Sequence, residues 1–409
     1  MRKDRDWGRV KQKGLIFTTK ALSGPRDHFG HHIEGDSMNY RRLRTRVEEL
    51  LNLADVQING DRPWDIQVHD ERLYARVMTQ GSLGLGEAYM DGWWDCAELD
   101  RFFCRVLSAE LEGRVRPWKD VFNLAKAWLI NLQSPARAYR VGQHHYDMGN
   151  DIYEAMLDSR MIYSGAYWKE ARNLDQAQEA KLDLLCRKLD LRPGMRLLDI
   201  GCGWGGTARY AAENYGVEVV GITVSQEQVA FGRKLCQGLP VEIRYQDYRS
   251  VEETFDRVVS VGMFEHVGWK NYRRFMTAVK RLMTEDGLFV LQSIGRNTSA
   301  RGCDPWIVKH IFPNSMLPSA RQICEAAEGL FVLEDWHSFG PDYDQTLMSW
   351  FSRFQQGWDS LKATYPERFY RMWTYYLLSC AGSFRARKNQ LWQIVLSPRG
   401  VEGGYRAPR

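Results

Sequence analysis

The chain has 409 residues, 44% of them hydrophobic and 26% charged, with 35 glycines and 13 prolines. This composition is typical of a globular protein and excludes collagen-like and wholly disordered chains. The length predicts two or three domains, each with its own hydrophobic core. No apolar stretch reaches the roughly 18 residues of a membrane-spanning helix, and the eight cysteines include no CxxC pair. We therefore expect a cytoplasmic protein with free thiols and no bound metal.

Residues 1–36 predict a flexible basic leader. Seven Lys or Arg and only two Asp lie within the first 20 residues, and this excess equals the formal charge of +5 of the whole chain. Such a segment can attract anionic lipid headgroups or nucleic acid. Aromatic residues do not alternate with the basic ones, so the sequence does not favour nucleic acid as the partner.

Residues 37–130 predict a small helical domain. Apolar residues recur at helical spacing, at Leu43, Val47, Leu50, Leu51 and Leu53. Segment 56–60 (VQING) resembles a short strand. The glycines of segment 80–96 suit close helix contacts rather than a loop, and residues 99–132 predict two more amphipathic helices.

Residues 131–409 show a different pattern, in which short apolar strands alternate with segments of helical length. The predicted strands are RLLDI (196–200), EVVGITV (218–224), VEIRYQD (241–247), FDRVVSVGMFEH (255–266) and GLFVLQSIG (287–295). This alternation predicts an α/β fold with a doubly wound, mostly parallel sheet. Ligands of such sheets bind beyond the carboxyl ends of the strands, at the topological switch point.

Segment 197–206 (LLDIGCGWGG) predicts a strand, a tight glycine turn and the start of a helix. Gly201, Gly203 and Gly206 match the dinucleotide pattern G-x-G-x-x-G, which is a weak signal by itself. A dinucleotide site also needs an acid at the end of the second strand. Segment 218–224 ends without one, which argues against a dinucleotide.

Asp199 lies directly before these glycines, at the predicted tip of the first strand. A carboxylate there would repel a pyrophosphate and attract an ammonium group, which favours a cationic amino-acid ligand. The motif D-x-G-x-G-x-G, matched by Asp199, Gly201, Gly203 and Gly205, resembles class I S-adenosylmethionine-dependent methyltransferases, which have a Rossmann-like fold. The alternative is a glycine turn that serves only strand–helix packing.

That resemblance implies where the cofactor lies. Its methionine part would contact the glycine loop, and Thr223 and Gln228 would offer the ribose neutral hydrogen bonds. Asp247 would lie near the exocyclic amine of adenine, and Tyr248 would flank the ring. The expected cofactor residues beside the glycine loop are therefore Tyr163, Ser164, Thr223, Gln228, Asp247 and Tyr248.

Longer motifs resemble the cyclopropane-fatty-acyl-phospholipid synthase family, and the likeness runs from about Tyr40 to the C-terminus. In chain order they are HYDMGNDIYEAML (145–157), MIYSGAYW (161–168), VGMFEHVG (261–268), FPNSMLPS (312–319), DWHSFGPDYDQTL (335–347) and TYYLLSCAGSFRAR (374–387). The resemblance implies transfer of the sulfonium methyl group to a cis double bond of a phospholipid acyl chain. A carbocation would form and lose a proton as a cyclopropane ring closes.

An alkene is a poor nucleophile, so such an enzyme must align it with the methyl group in a dry pocket and stabilise the cation. Aromatic faces such as Tyr163, Tyr167 and Trp168 can attract a cation without trapping it. The enzyme also needs a base to take up the proton. The family resemblance implies that this base is a bound bicarbonate ion.

In that resemblance, bicarbonate is held by the side chains of Glu265 and Tyr343 and by the backbone amides of Ile294 and Gly165. Two positions depart from the family pattern. Gly165 stands where YSCAYW has cysteine, and it still has a backbone N–H. Gln292 stands where a histidine is expected, and its amide can donate and accept hydrogen bonds but cannot gain charge.

Cys380 matches a family cysteine proposed as catalytic, although its apolar helical setting also suits an inert buried thiol. The resemblance implies a peripheral enzyme on the inner face of the membrane, with a phospholipid bilayer as partner. Residues 37–130 would dock on lipid or form a homodimer. Three alternatives stay open: a methyl-branched or methylene fatty acyl product, a methyltransferase for a soluble small molecule, and a non-catalytic binding module.

Overall fold

The computed structural model describes residues 32–111, 149–300 and 302–409, with side chains from residue 41 onward. The first range is mainly helical. Its helices are α1 (His32–Asn52), α2 (Arg72–Gln80), α3 (Ser82–Met90) and α4 (Leu99–Ser108). Two short strands, β1 (Gln67–Val68) and β2 (Trp94–Asp95), pair in antiparallel orientation.

The N-terminal boundaries differ from the sequence prediction. Helix α1 begins at His32, so the last residues assigned to the leader are helical. Residues 56–60 form no strand, because the buried Asp65 carboxylate accepts the backbone N–H of Gln57 at 2.8 Å and holds this segment as an irregular turn. The rest of the predicted leader, and the predicted boundary between residues 130 and 131, lie outside the described residues.

Glycines let α3 pack closely on its neighbours, as the sequence of segment 80–96 predicts. A Cβ atom on Gly84 would lie 2.4 Å from the backbone oxygen of Arg76 in α2. A Cβ atom on Gly86 would lie 2.4 Å from Cδ1 of Trp306, far down the chain. Larger side chains at these two positions would push the elements apart.

A seven-stranded sheet forms the centre of the remaining described residues. Its strands are β3 (Arg196–Ile200), β4 (Glu218–Thr223), β5 (Val241–Tyr245), β6 (Phe255–Val261), β7 (Met283–Arg296), β8 (Val332–Ser338) and β9 (Asn389–Ser397). They lie in the order β5-β4-β3-β6-β7-β9-β8, and β9 runs antiparallel to both of its neighbours. The five predicted strands and the doubly wound, mostly parallel sheet are confirmed.

Strands β8 and β9 were not among the predicted strands. Strand β8 is largely half-exposed and carries Val332 and Leu333 as exposed apolar residues, so it lacks the buried apolar run that marks a parallel strand. Strand β9 is buried, but Gln390 and Gln393 interrupt its apolar sequence. Gln393 pairs in register with Gln292 of β7.

Helices cover both faces of the sheet. They are α5 (Asn150–Met156), α6 (Leu174–Lys188), α7 (Gly206–Tyr215), α8 (Gln226–Leu235), α9 (Tyr272–Arg281), α10 (Pro305–His310), α11 (Ala320–Ala327), α12 (Gly340–Leu361) and α13 (Glu367–Arg385). Leu197 and Leu198, adjacent in β3, pack into different cores on opposite faces. None of the helices within the described ranges is long and apolar enough to cross a bilayer.

The N-terminal helices share one hydrophobic core with α12 and α13, which corrects the expectation that each domain has its own core. Helix α4 packs on α13, where a Cβ atom on Gly382 would lie 2.6 Å from the backbone oxygen of Asp100. Phe103 of α4 meets Tyr375 of α13 edge to face, with ring centroids 5.1 Å apart. These contacts fix the N-terminal helices against the sheet-containing part of the protein.

The topological switch point lies between β3 and β6. From β3 the chain continues to β4 and β5 on one side of the sheet, whereas from β6 it continues to β7 on the other. The carboxyl ends of β3 and β6 therefore border a crevice. Asp199 lies near the end of β3, and Glu265 lies just after β6.

Candidate active site

The glycine loop after β3 has backbone angles that suit glycine. Gly201, Gly203 and Gly205 have φ angles of 82°, 55° and 86°, in the left-handed region that other residues rarely adopt. A Cβ atom on Gly201 would also lie 2.8 Å from the side chain of Met263. Gly205 precedes the first residue of α7. The predicted turn and helix start are confirmed, and the loop leaves room for a ligand beside the backbone.

Asp199 is a buried carboxylate with a free oxygen. Its side chain is 2% exposed, and Oδ2 has no hydrogen-bond partner among the described residues. Burial raises the pKa of Asp199 to about 7, against the opposing effect of the nearby Lys181 ammonium. Lys181 is itself buried and donates a 3.1 Å hydrogen bond to Oγ of Ser164. Because a buried polar atom needs a partner, the free oxygen fits a cationic donor such as the ammonium of an amino acid.

The structure brings the other expected cofactor residues to the same cavity. Oγ1 of Thr223 donates to Oε1 of Gln228 at 2.7 Å, at the end of β4. Asp247 and Tyr248 follow β5 and line the cavity beside them. The Asp247 carboxylate accepts hydrogen bonds from Nε of Arg249 at 2.7 Å and from its backbone N–H at 2.9 Å. An exocyclic amine at this position would therefore share the carboxylate with Arg249.

Glu265 is a second buried carboxyl group in this cavity and is 4% exposed. Its Oε1 accepts the backbone N–H of Ile294 at 2.7 Å, whereas Oε2 has no partner among the described residues. The Ile294 amide, expected to hold an anion, is thus engaged by Glu265. Burial raises the pKa of Glu265 to about 7. A substantial fraction of the carboxyl groups is protonated at neutral pH and can donate from Oε2.

Gln292 takes part in a hydrogen-bond chain across the sheet. Gln393 Nε2 donates to Oε1 of Gln292 at 2.9 Å, and Nε2 of Gln292 donates to the backbone oxygen of Gly165 at 3.1 Å. Both glutamines are fully buried. One N–H group and one lone pair of the amide oxygen remain after these two hydrogen bonds. The prediction that Gln292 donates to bicarbonate and accepts from it therefore stays a prediction.

Gly165 is packed so tightly that the missing side chain has a structural reason. A Cβ atom there would lie 2.6 Å from Cδ2 of Leu391 and 2.9 Å from the ring of Tyr343. Tyr343 is buried on α12 and lines the cavity, with its ring 4.7 Å from that of Phe384. Burial and the nearby Glu265 raise the pKa of Tyr343 above its usual range, so its hydroxyl stays protonated.

Cys380 also lines the cavity, from α13. Burial raises the pKa of its thiol to about 12, which leaves the thiol protonated at neutral pH and unsuited to nucleophilic chemistry. Tyr163 lines the cavity too, and its hydroxyl shares a 2.7 Å hydrogen bond with that of Tyr376.

Two of the three predicted cation-stabilising rings lie elsewhere. Tyr167 packs edge to face against Phe339 at 5.6 Å, and Nε1 of Trp168 donates to Oγ1 of Thr346 at 3.0 Å. Neither ring lines the cavity, so that prediction is wrong for Tyr167 and Trp168. The aromatic rings that line it near Glu265 include Tyr163, Phe312, Tyr343, Tyr376 and Phe384.

One continuous cavity of about 1090 Å³ connects these groups, and it exceeds the roughly 300–1,000 Å³ of common small-molecule pockets. It runs from the glycine loop past Glu265 to the N-terminal helices. Apolar side chains of α1, α2 and α4 complete its wall: Val47, Leu50, Leu51, Leu73, Val77, Phe102, Phe103, Val106 and Leu107. The cavity therefore joins a polar end at the glycine loop to an apolar end at the N-terminal helices.

Three polar residues at the site were not among the predicted ones. Lys181 belongs to the buried face of α6 together with Leu182 and Leu185, and a lysine among such apolar residues was a usable signal. His266 lines the cavity beside Glu265, and burial lowers its pKa to about 4. Gln393 could not be found, because its strand pairing is a tertiary feature.

Comparison with known proteins agrees with this geometry. Residues 133–394 match a family model described as mycolic acid cyclopropane synthetase. The chain is 55% identical over 364 residues to the cyclopropane-fatty-acyl-phospholipid synthase of Escherichia coli K12, covering 89% of this chain and 95% of that protein. It is 33% identical over 390 residues to the tuberculostearic acid methyltransferase UfaA1 of Mycobacterium tuberculosis, covering 88% and 90%.

Solved structures show the same fold. The crystal structure of the mycolic acid cyclopropane synthase CmaA1, complexed with SAH and CTAB, is 33% identical and superposes with a TM-score of 0.59 over 63% of this chain and 98% of that one. The class I methyltransferase fold expected from the glycine motif is thereby confirmed. With its glycine loop, its buried carboxylates and these relatives, the chain belongs to the cyclopropane synthetase family of S-adenosylmethionine-dependent methyltransferases.

Proposed function

We propose that this enzyme transfers the methyl group of S-adenosylmethionine to a cis double bond of an unsaturated phospholipid acyl chain and forms a cyclopropane ring. The observation that supports this most strongly is the continuous cavity, which joins the glycine loop and Glu265 to a long apolar wall. A methyltransferase for a small soluble acceptor has no need of that wall. The E. coli relative, at 55% identity, is named for this activity on phospholipids.

The cofactor half of the cavity fits S-adenosylmethionine, which would supply the electrophilic methyl group. The free Oδ2 of Asp199 offers an acceptor for the ammonium group. Thr223 and Gln228 offer neutral polar groups for the ribose, and Tyr248 offers a ring face for the adenine. The glycine loop lets the backbone approach the methionine part without steric conflict.

The other half fits the acceptor chain. Apolar and aromatic walls exclude water, and the rings of Tyr163, Phe312 and Tyr343 attract positive charge without offering a strong nucleophile. A cation that forms on the acyl chain can therefore persist until it loses a proton. The protonated thiol of Cys380 contributes to this unreactive wall rather than to catalysis.

We further propose that bicarbonate binds beside Glu265 and would take up the proton released on ring closure. The groups that favour an anion are Oε2 of Glu265 in its protonated form, the Tyr343 hydroxyl and the remaining N–H of Gln292. The backbone N–H of Gly165 has no acceptor among the described residues. Together these groups would supply four hydrogen-bond donors, a set that suits a small oxyanion.

The substrate implies an enzyme that works at the surface of a bilayer, and we propose peripheral association with the inner face of the membrane. The N-terminal helices would then do more than dock on lipid or form a homodimer, because α1, α2 and α4 also form the wall of the acyl cavity. Homodimer formation stays a separate proposal, which analytical ultracentrifugation of the full chain would test.

Mass spectrometry of lipids from cells with and without the gene tests the function. A gain of one CH₂ group per acyl chain, with the unsaturation equivalent retained and the alkene signal lost, is the expected result. A methyl-branched or methylene product would instead support the alternative that the UfaA1 relative suggests. Labelled methyl found only in water-soluble products would overturn the proposal.

A further inference from the structure

Helix α1 carries a dense basic surface. Arg41, Arg42, Arg44 and Arg46 fall within six residues, and all four are exposed. They belong to the described part of the protein and are distinct from the basic residues at the start of the chain. Four cations on less than two helical turns create a strongly positive local potential.

Acidic neighbours neutralise only part of this charge. Arg46 pairs with Glu49 at 2.9 Å, and Arg44 lies 3.7 Å from Glu71. Among the side chains that the structure describes, which begin at residue 41, neither Arg41 nor Arg42 has an ion-pair partner. No described acid therefore neutralises these two cations.

The opposite side of the same helix faces the acyl cavity. Val47, Leu50 and Leu51 are buried and form part of the cavity wall. A helix with its side chains is about 10–12 Å across, so the arginines and the cavity wall are separated by one helix diameter. A phospholipid presents the same arrangement, because its phosphate stays in water while its tail needs an apolar surface.

We propose that the outer face of α1, centred on Arg41 and Arg42, binds the headgroups of anionic phospholipids at a bilayer surface. This inference rests on the proposed function, which identifies the tail as an unsaturated acyl chain. Binding to the bilayer then depends on the charge of the headgroup, and α1 holds the headgroup near the cavity that receives the acyl chain. A bilayer is favoured over nucleic acid because the arginines lie on the helix that lines an apolar cavity.

The test compares the full-length protein with the double variant Arg41→Gln/Arg42→Gln. Binding to phosphatidylglycerol–phosphatidylcholine vesicles is measured by cosedimentation at low salt, with pure phosphatidylcholine vesicles as reference. At about 1 kcal/mol per arginine near an anionic surface, loss of both side chains should weaken binding about thirtyfold. The matched control is Arg192→Gln/Arg321→Gln, which removes the same charge from exposed positions of the catalytic part and should leave binding near the wild-type value.

Equal affinity of the α1 variant and the wild type for anionic vesicles would overturn the proposal, as would an equal loss in the control variant. Tighter binding to duplex DNA than to anionic vesicles would also overturn it. Both variants should bind S-adenosylhomocysteine as the wild type does, which verifies the fold. Methyl transfer by the wild type into vesicle lipids is measured separately, so a failure of the enzymatic function is seen independently of docking.

Discussion

Gln393 on β9 donates a 2.9 Å hydrogen bond to Oε1 of Gln292 on β7, and Gln292 in turn donates to the backbone of Gly165. This chain links β9, the strand next to β7, to the wall of the active site. It holds the Gln292 amide in the wall of the catalytic cavity, at the position where the family pattern predicts a histidine.

We predict that Gln393→Met lowers activity by roughly 5- to 100-fold, because an unsatisfied buried amide costs about 1–3 kcal/mol and Gln292 loses its orientation. The loss should appear as a weaker dependence on added bicarbonate, with unchanged affinity for S-adenosylhomocysteine. Ser397→Ala on the same strand serves as control. Unaltered bicarbonate dependence in Gln393→Met would show that the hydrogen-bond chain has no role in positioning Gln292.

Replacement of Glu265 by glutamine should reduce turnover by about 10²-fold, the low end of the usual contribution of proton transfer, because the amide can still donate a hydrogen bond to bicarbonate but cannot exchange a proton with it. The substitution keeps the size of the side chain but fixes a neutral amide at the free Oε2 position. Calorimetry should show unchanged cofactor affinity. The control is Glu285→Gln at an exposed position. Full turnover in the Glu265→Gln variant would show that Glu265 has no part in the mechanism.

Cofactor affinity should depend on pH through Asp199, whose pKa is raised to about 7. Below that pH the carboxyl group is neutral and loses its attraction for an ammonium group, so S-adenosylhomocysteine should bind up to about tenfold more weakly per pH unit. Titration calorimetry from about pH 5.5 to about pH 8.5, a range that brackets this pKa, measures the effect. Asp199→Asn should abolish this dependence, whereas Glu265→Gln should retain it.

Gly165→Ala should destabilise the protein by about 1–3 kcal/mol and lower its activity, because the added methyl group collides with Leu391 and the Tyr343 ring. Chemical denaturation monitors the free energy of unfolding. At Gly302 an added Cβ atom meets nothing within 4 Å, so Gly302→Ala should leave stability near the wild-type value. Equal stability of both variants would contradict the packing argument.

Much of the cofactor site could be predicted from the sequence, since its residues follow strands whose apolar runs are local signals. Asp199 lies near the end of β3 and the glycine turn follows it, Thr223 ends β4, and Asp247 follows β5. Parallel strands bring their carboxyl ends to one edge, so the order along the chain already implies proximity.

Less of the site for the acyl chain could be predicted from the sequence. The motif around Glu265 identified that residue, but the sequence could not show that the Ile294 amide is engaged by Glu265 itself. Nor could it show that Tyr167 and Trp168 lie away from the cavity, because consecutive residues in an irregular segment have no fixed period.

The sequence by itself determined the parallel strands, the glycine turn and the pair of carboxyl groups at the switch point, because each depends on short apolar runs and on residues adjacent to them. Only the tertiary structure decided the shared core of α4 and α13, the Gln393–Gln292–Gly165 chain and the apolar wall from α1. These features join residues separated by 100 or more positions, and packing and burial select such contacts without any local pattern in the sequence.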